Sequence, residues 1–142
     1  MGLTQLPRNH MTPLMTIVLY MTALTWVTII AASTIRAKGW TLRGLNYSLS
    51  NREESLETNP LAHRADRTAS NTQENFVLFL GLASVAMASA ATSPLILQGA
   101  ELFLLARLVF VPVYYVGIIY VRTLVWLAGV IGLIMMFMGL MA

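Results

Sequence analysis

A row of polar side chains at helical spacing, running straight into an apolar stretch, constrains this chain most. Arg64, Arg67, Asn71, Glu74 and Asn75 lead into residues 76–91, which are almost wholly apolar. At about 100° per residue, all five fall within an arc of roughly 100° on one helix face. A charged side chain in a bilayer costs at least a few kcal/mol unless it is paired or wet. A charged row that enters a membrane helix therefore points to a function by default.

Composition places the chain in a membrane. It has 142 residues, of which 57% are hydrophobic and 11% charged. A soluble domain of this length carries about 25% charged residues. The deficit comes from long apolar runs, so we expect an all-α integral membrane protein with one domain. The net charge of +3 implies no nucleic-acid partner, because the basic residues are strung along one loop and its flanks. The absence of cysteine excludes disulfides, a cysteine nucleophile and thiolate metal sites. His10 and His63 are too few and too far apart for a metal centre. Met135, Met136 and Met138 suit packing in an apolar run.

The runs predict a four-helix membrane domain over residues 1–142, with helices at 13–35, 60–90, 94–120 and 123–141. The first run exceeds the ~7–15 residues of a signal-peptide core. Thr16, Thr22, Thr25 and Thr28 can return hydrogen bonds to its backbone. Residues 37–59 form a polar loop with an acidic patch at Glu53, Glu54 and Glu57, and with a short interfacial piece around Trp40 and Tyr47. Pro60 suits a first helical turn. Pro112 removes a backbone hydrogen bond from the third helix. Gly129, Gly132 and Gly139 allow close packing of the fourth, and Gly81, Ala83, Ala86, Ala88 and Ala90 do the same on the second. Arg36, Lys38, Arg43, Arg52, Arg64, Arg67 and Arg122 lie on one side and only Arg8 on the other. The positive-inside rule then puts both termini outside the cytoplasm.

Two readings of the polar row stand side by side. Glu74 can pair with Arg67 or Arg107 and merely fix helix register, since buried pairs add little net stability. Alternatively, the row lines a pocket for a carboxylate-bearing molecule, which guanidinium groups grip in bidentate fashion. On the third helix Arg107 and Tyr114 share a face. Tyr120 suits the membrane boundary. Arg122 is either a positive-inside anchor or a cation that lowers the pKa of a ligand thiol, as neighbouring positive charge does for cysteine.

The run from Arg64 to Phe76 resembles the MAPEG family, the membrane-associated proteins in eicosanoid and glutathione metabolism. It has two arginines three apart, then asparagine, then glutamate followed by asparagine. The resemblance continues in Ala106-Arg107-Leu108, Tyr114 and Arg122, and residues 111–126 look like the bacterial branch. It implies a homotrimer of four-helix subunits, here in a bacterial inner membrane, with glutathione as co-substrate. Arg67, Asn71, Glu74, Arg107 and Tyr114 would hold the tripeptide, with Arg64 and Asn75 of the same row as further contacts. Arg122 would stabilise the thiolate that attacks a lipophilic electrophile from the bilayer. Two departures stand out. Phe110 takes a place where the family often has tyrosine, and Arg122 is about one residue out of step with the catalytic arginine of eukaryotic members. The expected activity is a glutathione-dependent transferase or peroxidase. The alternatives are a non-catalytic lipid-binding protein and a structural subunit of a larger membrane assembly.

Overall fold

The computed structural model describes residues 11–51 and 59–142, without the side chain of Ser48. The sequence features at Arg8, His10, Arg52, Glu53, Glu54 and Glu57 lie outside the described residues. Regular structure among the described residues is wholly helical: α1 (Pro13–Ala37), α2 (Leu42–Leu49), α3 (Pro60–Ala88), α4 (Pro94–Val116) and α5 (Ile119–Met141).

Local chemistry sets where these helices start. Pro13, Pro60 and Pro94 each open a helix, where a missing N–H costs nothing. The Thr12 side chain accepts from the Met15 N–H at 3.3 Å, and Asn59 accepts from Ala62 at 2.7 Å. Within α1 the threonine hydroxyls bond back to the helix as the sequence suggested. Thr16, Thr22 and Thr25 donate to the carbonyls of Thr12, Val18 and Met21, and Thr28 donates to that of Thr25.

Two expectations from the sequence are corrected here. The helix expected over 94–120 stops at Val116. Gly117 takes a left-handed φ of 88°, and its N–H donates to the Val113 carbonyl at 3.0 Å. The last long helix therefore begins at Ile119, not at 123, and Tyr120 and Arg122 belong to its first turn. The polar loop expected over 37–59 contains α2. Smaller shifts carry α1 on to Ala37 and end α3 at Ala88. Pro112 does not interrupt α4.

Helices α1, α4 and α5 are long and apolar enough to cross a membrane. At 29 residues α3 is the longest, about 43 Å end to end, and carries the polar row in its first half. The core forms where Met21 of α1, Phe79 and Ala83 of α3, Ala100 and Phe103 of α4, and Met136 of α5 meet. Phe79 and Phe103 stack with centroids 4.9 Å apart. The α4 and α5 backbones also pack closely. A Cβ on Gly99 would lie 2.5 Å from the Gly132 carbonyl oxygen, and one on Gly132 would lie 2.6 Å from that of Gly99. Of the small residues expected on this helix, Ala83 and Ala86 of α3 are buried and Gly81 and Ala88 exposed, while Ala90 lies beyond its end, also exposed.

An ion pair between Arg36 and Asp66, 3.1 Å apart, ties the end of α1 to the start of α3. Both side chains are partly exposed, so solvent screens the pair. Arg36→Ala is expected to cost less than about 1 kcal/mol. Thermal unfolding in detergent at low and high salt checks this, and the difference from wild type should shrink as salt rises.

Candidate functional site

The polar row on α3 straddles the boundary between inside and outside. Asn75 is buried, Arg64 and Asn71 are half-buried, and Arg67 and Glu74 are exposed. The packing boundary cuts through the 100° arc, so neighbouring members of one stripe have different surroundings.

On its inner edge the row meets Arg107, which is fully buried on α4. The Arg107 Nη1 donates to Asn71 Oδ1 at 2.9 Å, and its Nη2 donates to Asn75 Oδ1 at 3.1 Å. The Asn75 amide donates in turn to the Asn71 carbonyl at 2.8 Å, so the two asparagines are cross-braced. The Arg107 guanidinium lies 5.1 Å from the Phe103 ring centre and 5.2 Å from that of Phe110. These ring faces offset part of the cost of burying the charge. Opposite them Gly129 of α5 leaves the space the guanidinium fills, since a Cβ there would sit 2.8 Å from Nη2. The Arg107 Nε is buried without a hydrogen-bond partner.

The pairing of Glu74 with Arg67 or Arg107, considered from sequence, does not form. The ion pair among the described residues is Arg36–Asp66. Glu74 sits around the helix from Asn75, on the exposed side, while the amide oxygens of Asn71 and Asn75 serve Arg107. Arg67 and Glu74 thus present opposite charges on the outer face of α3 with no ion-pair partner among the described residues.

A second group gathers at the α4–α5 end. The Arg122 guanidinium lies over the Tyr114 ring, 4.8 Å from its centre. Tyr114 packs against Phe110, with centroids 5.3 Å apart. One face of α4 therefore carries Arg107, Phe110 and Tyr114 in series, with Arg122 closing it from α5. Arg64 reaches the same end. Its guanidinium flanks Gly117, and its Nε is buried without a hydrogen-bond partner. Tyr115, packed on Ala32, Ala65 and Ala69, also holds a buried hydroxyl without one. The structure thus brings together Asn71, Asn75 and Arg107, and separately Tyr114 and Arg122. Arg67 and Glu74 stay on the outside.

Sequence reasoning missed Phe103 and Gly129 as the surroundings of Arg107. Phe103 lies one turn before Arg107 on α4, a spacing that puts both on one face, whereas Gly129 comes from α5 and nothing near Arg107 signals it. One turn beyond Glu74, α3 and α5 border an open, shallow apolar groove of about 460 Å³. It is lined by Val77, Leu78, Gly81, Val130, Ile134 and Phe137, among others. Among the described residues, no group of three or more metal-ligating side chains is present.

A membrane protein of long helices, with an asparagine-braced arginine and an arginine–tyrosine pair at one end, is the class this arrangement defines. The family model of the MAPEG family matches residues 13–142, nearly the whole chain, and the chain belongs to that family. No curated protein and no solved structure matches it.

Proposed function

We propose that this chain binds glutathione and presents its thiolate to a lipophilic electrophile, as a glutathione-dependent transferase or peroxidase of the membrane. The observation that carries the reading is the outer face of α3. Arg67 and Glu74 stand there exposed and without an ion-pair partner among the described residues, beside an Asn71 already fixed by Arg107. Glutathione carries carboxylates and an ammonium group, so it offers a partner to each charge. Arg67 would grip a carboxylate. Glu74 would take the ammonium, and Asn71 would hydrogen-bond the peptide. Asn75 and Arg107 would serve as the brace behind them, and Arg64 would supply positive charge at the α4–α5 turn.

The thiol would lie near Tyr114 and Arg122. A guanidinium there favours the thiolate over the thiol, and the Tyr114 hydroxyl can donate to the sulfur. In a transfer step the thiolate forms a C–S bond with the electrophilic carbon. The displaced electron pair leaves with the leaving group or takes up a proton. The apolar groove that begins one turn from Glu74 suits the lipophilic substrate.

An unpaired acid and base on one outer helix face favour an arrangement in which copies of the chain meet there. A homotrimer of four-helix subunits, with α3 as the fourth span, accommodates this. The basic end would face the cytoplasm of a bacterial inner membrane, with both termini outside. A second reading, a non-catalytic lipid-binding member, is favoured by one observation. The Arg122 guanidinium already rests on the Tyr114 ring.

The test is a titration of detergent-purified protein with glutathione, followed at the ultraviolet thiolate band. Wild type is expected to give the band, and Arg122→Ala to bind without it. Arg67→Ala should weaken binding about 10–100-fold, the worth of a lost hydrogen bond to a charged group. Binding without a thiolate band in wild type would favour the non-catalytic reading. No binding at millimolar glutathione would overturn the assignment.

A further inference from the structure

The corner between α1 and α2 is built rigidly. Lys38 closes α1 in the left-handed conformation with φ 50°, and the Gly39 N–H donates to the Thr34 carbonyl at 2.9 Å. The Thr41 N–H and hydroxyl both donate to the Lys38 carbonyl at 2.9 Å. The same hydroxyl caps α2 by accepting from the Gly44 N–H at 3.0 Å. Gly44 is buried against the backbone carbonyls of Ala37 and Lys38, where any Cβ would collide. Tyr47 packs half-buried beside Ser33, Arg36 and Ala37. One face of α2 is thus fixed against the end of α1.

The other face is apolar and uncovered. Leu42, Leu45 and Leu49 fall within an arc of about 60° on the side away from Gly44. Leu42 is 84% exposed, Leu49 80%, and Trp40, just before the helix, 67%. An eight-residue helix that turns three leucines and a tryptophan outward is mispatterned for water. Its place along α1 supplies an occupant. The 25 residues of α1 measure about 38 Å, more than the roughly 30 Å hydrocarbon core. The end of α1 therefore emerges into the headgroup layer, and α2 leaves it there. Lys38 and Arg43 are exposed beside the leucines and have no ion-pair partner among the described residues, which suits headgroup phosphates.

We propose that α2 is an interfacial anchor. It lies in the bilayer surface with Leu42, Leu45, Leu49 and Trp40 at the headgroup–acyl boundary and with Lys38 and Arg43 on phospholipid phosphates. Because the corner is rigid, the anchor sets the depth of α1 in the membrane. It thereby sets the depth of the α3 start, to which Arg36 and Asp66 tie α1.

The test uses the full chain with Trp26→Phe and Trp126→Phe, which leaves Trp40 as the one tryptophan. The protein is reconstituted in phosphatidylcholine–phosphatidylglycerol vesicles. The expected result is blue-shifted Trp40 emission, quenched more strongly by lipid brominated near the headgroup than near the acyl end, and little quenched by aqueous acrylamide. Leu45→Glu/Leu49→Glu should red-shift the emission and reverse the order of quenchers. Red-shifted emission with strong acrylamide quenching in the unmutated α2 would overturn the proposal. So would protection from both quenchers, which would mean that a protein surface covers α2.

Discussion

Arg107→Ala is expected to destabilise the protein by about 2–4 kcal/mol, although it removes a buried charge that no carboxylate neutralises. Two terms oppose each other. Removing the guanidinium relieves the cost of keeping a charge out of water, and for that reason buried ions are weak evidence for stability. Against this, Asn71 Oδ1 and Asn75 Oδ1 both lose their donor. The stranded acceptor on buried Asn75 costs about 1–3 kcal/mol, and that on half-buried Asn71 costs less because water reaches it. The contacts with Phe103 and Phe110 go as well, and Gly129 opposite has no side chain to fill the space. The acceptors decide the sign. Arg107→Ala combined with Asn75→Leu should therefore recover part of the loss, with a coupling of about 0.5–3 kcal/mol. Thermal or denaturant unfolding in one detergent measures the cycle. Strict additivity would show that the Arg107–Asn75 bond does not set the stability.

Gly132→Ala is expected to cost as much as many larger substitutions elsewhere. The added Cβ would meet the Gly99 carbonyl oxygen at 2.6 Å and the Phe103 backbone nitrogen at 2.9 Å. These are main-chain atoms of α4, which cannot rotate aside, so the two helices must separate. Overpacking of this kind costs about 1–3 kcal/mol, and separation would also loosen the Phe79–Phe103 stack below it. Gly81→Ala is the control. A Cβ there meets nothing within 4 Å, and alanine is the better helix former by up to about 1 kcal/mol. Unfolding midpoints should fall for the first variant and hold or rise for the second. A similar effect of both would mean that helix propensity, not the α4–α5 contact, governs these positions.

The long helices were legible because apolar runs, opening prolines and capping residues agree. Thr12-Pro13 and Asn59-Pro60 carry cap and first turn in adjacent residues. The α4–α5 boundary was harder. Residues 111–121 are continuously apolar, so periodicity offers no break, and the stop signal is the single Gly117 with its left-handed backbone. Reading through it placed Tyr120 on the wrong helix. The α2 helix falls where a short interfacial piece was expected around Trp40 and Tyr47, but its extent left no mark, being only eight residues long within a polar segment. At the site, helical spacing put Arg64, Arg67, Asn71, Glu74 and Asn75 on one face of a helix, and all five lie on α3. It did not reveal which edge of the group faces inward, since that depends on where α4 packs. Asn75 and Glu74 are adjacent in sequence, yet one braces Arg107 and the other faces outward. The rings of Phe103 and Phe110 flank Arg107 at i−4 and i+3 on α4 and could have been read there, while the gap at Gly129 comes from α5 and leaves no mark near either motif.

The central claim is that the outer α3 face, with Arg67 and Glu74 exposed upon it, recognises the zwitterionic tripeptide. Equilibrium dialysis of S-hexylglutathione against the purified protein tests it most directly, because this ligand needs no thiolate and carries its own lipophilic group. Wild type should bind, and Arg67→Ala and Glu74→Gln should each lose affinity by about 10-fold or more. Gln73→Ala, next to Glu74 on the exposed side, should bind like wild type. Absence of binding, or affinity indifferent to both Arg67 and Glu74, would contradict the account.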